Sequence, residues 1–161
     1  MARYAPKPCS ELRRGPTHGK RPPVSPWVSF FCYDTHMTLL TIIGFIVLLG
    51  LTIFQILLIA GKPLGEYAWG GQHKVLPKHL RISSVTSVIL YILFAVFLVS
   101  KAGVVQIVSP GSFLDTTLWI FTGYFILGIF VNALSRSKKE RLVMVPVCIV
   151  LATVFLSVVL S

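Results

Sequence analysis

Residues Gly65–Ser84 read GEYAWGGQHKVLPKHLRISS, and they concentrate side chains able to do chemistry in a chain that is otherwise largely aliphatic. Glu66, Trp69, His73, Lys74, Lys78, His79 and Arg81 all fall within this stretch. Three chemistries suit such residues. A carboxylate and an imidazole, Glu66 and His73, are the components of an acid–base pair for a membrane hydrolase. No G-x-S-x-G nucleophile motif accompanies them, and no G-x-x-x-x-G-K-[ST] phosphate loop. His73 and His79 with Glu66 are conceivable metal ligands, but two helical zinc ligands prefer i,i+4 spacing and a closed site needs four. The residues therefore assign no catalytic group, metal or cofactor. Lys74, His79 and Arg81 are donors suited to the phosphates of anionic headgroups, and Tyr67 and Trp69 prefer the headgroup level. An interfacial loop accounts for nearly every residue. Gly70-Gly71 lets the backbone turn sharply, and Pro77 stands where a second helix can begin.

The elements that carry this loop are apolar. The chain has 161 residues, 55% hydrophobic and 12% charged. A soluble domain carries about 25% charge, so too little polar surface is available to cover a water-soluble globule. About 20 apolar residues are needed to cross the hydrocarbon core as a helix. Four runs qualify: residues 38–60, 84–106, 114–134 and 142–160. They lack the alternation of barrel strands, and lipid offers the backbone no hydrogen bonds, so they are helices. The links at 101–113 and 135–141 are short, which makes neighbouring helices antiparallel. The expected fold is all-α, an integral membrane bundle of four helices running up-down-up-down. Pro146 is expected in the first turn of the fourth helix, where its missing N–H costs little. Cys148 is expected simply to pack.

Charge sets the orientation. Lys+Arg total 15 against 5 Asp+Glu, a net +10. In a soluble protein this excess points to nucleic acid; here the cations lie outside the apolar runs and point to a membrane surface instead. The first link carries Lys62, Lys74, Lys78 and Arg81, and the third carries Arg136, Lys138, Lys139 and Arg141, whereas the middle link has only Lys101. Lysine and arginine stay on the cytoplasmic side, so links 61–83 and 135–141 are expected to face the cytoplasm. Residues 1–37 disturb the pattern, being basic and rich in proline. Such a segment reads as disordered, and Met37, directly before the first run, is a candidate start of the native chain.

Two amides lie inside the runs. Gln55 and Asn132 sit at similar depth, and are expected to pair across the bundle, to line a shallow cavity, or to cap their own helix ends. No buried Glu or His is expected in a span, which disfavours proton-driven export. The segments WGGQHKVLP from Trp69, LRISS from Leu80 and NALSRSKKERLVMVP from Asn132 resemble a group of small four-span bacterial integral membrane proteins with a W-G-G-x-H-x-x-L-P loop motif. The resemblance covers roughly residues 38–160 and implies an architecture but no catalytic residue. The expected role is a non-enzymatic structural or interaction protein of the cell membrane. Its cytoplasmic face would carry Glu66, Trp69, His73, Lys74, His79, Arg81, Arg136, Lys138, Lys139 and Arg141. The expected partners are the bilayer with its anionic headgroups, and a protein partner or a second copy. The alternative is a small transporter with Gln55 and Asn132 near its path. The two readings differ in one respect: a transporter needs a polar crevice reaching mid-helix, whereas an interaction protein has tightly packed spans.

Overall fold

Aliphatic sequences without water to satisfy their backbones close their hydrogen bonds within each segment, and the chain does so four times. The computed structural model describes residues 35–161, with side chains from 38. His36–Ser161 form one compact unit. It holds α1 (Thr35–Ile59), α2 (Lys78–Lys101), α3 (Ser112–Ala133) and α4 (Lys138–Leu160), and no strand occurs among the described residues. Each of the four helices is long and apolar enough to cross a membrane. Only 22% to 28% of each apolar window is buried inside the fold, so most of every helix presents hydrocarbon outward, as a lipid solvent requires. Ile89, Ile120 and Phe130 are among the large apolar side chains on that outer surface. The chain is thus built as a multi-pass membrane protein. The expectation that residues 1–37 form a separate basic segment beginning before a native start at Met37 lies outside the described residues, which enter that segment only at Thr35.

Helix ends correct the expected spans. The second does not run to 106. Gly103 adopts φ 71°, and Val104 N–H bonds Val99 O at 3.2 Å, which is the left-handed cap that closes a helix. Its start lies earlier than 84, because Pro77 supplies an extended N-cap and Lys78 already belongs to the helix. Likewise α4 begins at Lys138 rather than at 142. Pro146 therefore stands in the helix interior and not in its first turn, leaving Leu142 O without its usual donor. α1 ends in the same type of cap as α2, with Gly61 at φ 79° and Lys62 N–H on Leu57 O at 3.0 Å.

Packing is led by α3 and α4. Late residues of one meet early residues of the other: Asn132 reaches Cys148, and Phe125 lies 5.2 Å from Phe155. α2 joins through Phe94, whose ring lies 4.5 Å from Phe121 and 5.0 Å from Phe125 in edge-on contacts. Gly44 lets α1 come close, since a Cβ there would stand 2.8 Å from Val154 and 2.9 Å from Leu98. At the far end Lys101 pairs with Asp115 at 2.7 Å across the middle link. This pair ties the end of α2 to the first turn of α3, whose N-terminus also favours a carboxylate.

Candidate functional site

The first link is a folded structure, not a loose tether. Leu58, Ala68 and Leu76 form a small core of their own beneath it. Gly65 N–H bonds Lys74 O at 3.0 Å and closes the loop on itself. Between these anchors the chain makes two short 3₁₀ turns, Gly65–Tyr67 and Trp69–Gly71. Three consecutive residues there, Trp69, Gly70 and Gly71, have φ of 54°, 79° and 66°. Two of the three are glycines because side chains are strained in that region; Trp69 is the exception and carries the strain.

That turn places the loop against the third link. Ser137 caps α4, accepting Glu140 N–H at 3.2 Å, and its hydroxyl donates to Glu66 O at 2.6 Å. Gly71 lies so close that a Cβ would meet Ser137 Cβ at 2.4 Å. Lys139 donates to the Glu66 carboxylate, and its ammonium lies 5.7 Å from the centre of the Tyr67 ring. The hydrogen bond and the charge of Lys139 hold the Glu66 carboxyl below its ordinary value, outweighing the opposing effect of burial. A carboxyl shifted downward contributes above the ordinary carboxylate range and loses its contribution as pH falls through the lowered value. Acid titration followed by Trp69 fluorescence is therefore expected to leave this contact intact through the ordinary range and release it only below. Glu66→Gln removes that acid dependence.

Glu140 is the residue whose role sequence reasoning missed. It is 7% exposed although its neighbours Lys138, Lys139 and Arg141 all point outward. Its Oε2 accepts Gly70 N–H at 3.0 Å and the Ser135 hydroxyl. This carboxylate stands in the first turn of α4, ahead of the apolar run 142–160. The spacing Ser137-x-x-Glu140 is a capping-box signature that marks this turn in the sequence. The glutamate nevertheless turns away from the cap to hold the other link.

Above these contacts opens a cavity of about 490 Å³ between the helices, with Trp69, Gly70, Ser135 and Glu140 on its wall. It extends to Tyr91, Tyr124, Cys148 and Leu151, residues near the middle of α2, α3 and α4. Gln55 and Asn132 both line it, but they do not pair. Asn132 Nδ2 donates to Gly128 O at 2.7 Å, within its own helix, and to Cys148 Sγ at 3.5 Å. Gln55 lies beside Tyr91, and its Oε1 has no hydrogen-bond partner although the residue is 5% exposed. Gln55→Leu is accordingly expected to change stability in detergent by no more than about 1 kcal/mol, because the loss of its polar contact with Tyr91 is offset by removal of an unmet acceptor.

The other expected site residues are dispersed. His73, Lys74, His79 and Arg136 are exposed at the loop surface. Glu66 is spent on Lys139 and does not form an acid–base pair with His73. Arg81 is turned inward: its Nε donates to Leu76 O at 2.9 Å, and its guanidinium packs over Gly61. It braces the loop through Nε. Among the described residues no three His, Cys, Asp or Glu side chains stand together as metal ligands. Comparison of the chain with protein-family models, with curated proteins and with solved structures finds no match.

Proposed function

We propose that this chain is a small permease-like membrane protein whose interhelical cavity receives a small amphipathic solute from the face that carries the two basic links. The observation that carries this reading is the depth of the cavity. A tightly packed interaction module has no use for a space of about 490 Å³ that reaches mid-helix with a few polar groups set into an apolar wall, and that volume lies within the usual range of ligand sites. The polar side chains Gln55 and Asn132 among its lining residues support the same reading, since such residues in a membrane span face a cavity or a pathway. We further infer that the four helices cross a bacterial cell membrane in alternation and that links 61–83 and 135–141 face the cytoplasm, on the strength of their lysines and arginines.

Cys148 supplies the test. In a chain with Cys9 and Cys32 replaced by serine, a membrane-impermeant, charged thiol reagent is expected to modify Cys148 in inverted vesicles. Ile149→Cys, on the outer apolar surface, is expected to stay unmodified in a Cys148→Ser background. An unreactive Cys148 from both sides of the membrane would contradict a cavity open to water.

A second reading, a docking face for anionic lipid, is favoured by one observation. Lys74, Lys78, Arg136, Lys138 and Arg141 are all exposed on the joined links. Replacing Lys138 and Arg141 by glutamine is expected to lower the anionic lipid that co-purifies in mild detergent, measured by mass spectrometry. It should leave the reactivity of Cys148 as it was.

A further inference from the structure

Donors and acceptors around the cavity do not balance. Most of the wall's donors are already used within the protein. Trp69 Nε1 donates to Ser84 Oγ at 3.3 Å, Gly70 N–H and the Ser135 hydroxyl serve Glu140, and Asn132 Nδ2 serves Gly128 and Cys148. The hydroxyls of Tyr91 and Tyr124 can act either way. Accepting capacity is left over. Glu140 takes both of its bonds on Oε2, so Oε1 keeps its accepting capacity. Gln55 Oε1, beside Tyr91, is unbonded as well, but it has next to no accessible surface and no ligand in the cavity reaches it.

Charge does not balance either. The ion pairs among the described residues are Lys101–Asp115 and Lys139–Glu66, and neither involves Glu140. A carboxylate that is 93% buried without a counter-ion is costly, and a cation entering the cavity would relieve that cost. The walls suit a cation as well, because Trp69, Tyr91 and Tyr124 supply aromatic rings that attract one.

We propose that the cavity binds an organic ammonium ion, whose N–H groups donate to Glu140 and whose apolar body lies among the aromatic rings toward Gln55. This ligand class rests on the cavity being the functional site. The outward cations Lys74, Lys138 and Arg141 oppose the approach of such a ligand, but they are in water and screened beyond about 8 Å at physiological salt. Glu140 is shielded from the solvent and is screened much less. Ammonium binding is therefore expected to hold or tighten as salt rises, whereas an anion held by the exposed cations would be released.

The experiment is calorimetric titration of the full chain, purified in mild detergent, with three probes that share a phenylethyl body: 2-phenylethylammonium, 2-phenylethanol and 3-phenylpropanoate. The ammonium is expected to bind saturably and about ten-fold or more tighter than the alcohol, the worth of one charge-assisted hydrogen bond. Glu140→Gln, which still offers an oxygen to Gly70 and Ser135, is expected to bring the ammonium to the alcohol's affinity. Tyr124→Leu, which takes one aromatic ring from the wall, should weaken the ammonium about three-fold, and it decides the matter if the first variant does not fold. Equal affinity for all three probes, preference for the propanoate, or ammonium binding untouched by either variant would overturn the ammonium class and leave the cavity as a binding site. Absence of binding by any probe while Cys148 reacts with the polar reagent overturns the ligand class alone. Absence of binding with Cys148 unreactive overturns the cavity reading beneath it.

Discussion

Replacing Glu140 by alanine is expected to lower stability by about 3 kcal/mol, read as a large drop in the midpoint of unfolding in mild detergent. Two charge-assisted bonds end on this carboxylate, from Gly70 N–H and the Ser135 hydroxyl, and each such bond contributes about 1.5–3 kcal/mol. Relief of the burial cost of the charge offsets part of the loss. The loss is not confined to α4. The Gly70 bond reaches across 70 residues of chain, and without it the first link loses one of the contacts that hold it over the mouth of the cavity. Glu140→Gln keeps an acceptor for both donors, so it is expected to lose less than half as much. An alanine variant that melts with the parent would mean that the two links are held together by something other than this residue.

Gly71→Ala should be nearly as damaging, at about 3 kcal/mol, for an unrelated reason. Its φ of 66° costs an L-residue about 1–2 kcal/mol, and overpacking against Ser137 adds about 1–3 kcal/mol, since the new Cβ would stand 2.4 Å from the Ser137 Cβ. Ser137 cannot simply retreat, because its hydroxyl caps α4 and donates to Glu66 O. Gly70→Ala separates the two terms. It shares the positive φ of 79° but has nothing within 4 Å of its Cβ position, so it is expected to show the backbone term without the steric one. Unfolding midpoints of the two variants in one detergent make the comparison; equal losses would remove the steric contribution at Gly71.

The four helices were legible because lipid imposes a simple rule, that an uncharged run of sufficient length must satisfy its own backbone. Their ends were less so. Residues 102–106 are apolar enough to continue α2, and only the left-handed Gly103 stops them; conversely Lys78–Ser83 and Lys138–Arg141 look like loop yet extend α2 and α4, because helices project polar turns beyond the hydrocarbon. The meeting of the two basic links was foreseen from topology, but its chemistry was not. Lys74 and His79 stand out by residue type and lie exposed, while Glu140 is by residue type only one more charge in a basic run. Which charge in such a run turns inward depends on a hydrogen-bond donor 70 residues away, and local sequence does not contain that information. Gln55 and Asn132 were found because an amide in hydrocarbon is rare. Whether they pair depended on whether the helices close between them, and Asn132 instead bonds its own helix at Gly128.

The central claim is that these helices have hydrocarbon outside and water inside. Spin labels on cysteines introduced at Ser87, which lines the cavity, and at Ile89, which is 62% exposed on the outer surface of the same helix, test it in reconstituted bilayers. The expected result is relaxation of the Ser87 label by a polar nickel complex and of the Ile89 label by oxygen. Oxygen-dominated relaxation at both positions would show that no aqueous space enters the bundle, and polar relaxation at both would show that α2 does not face lipid.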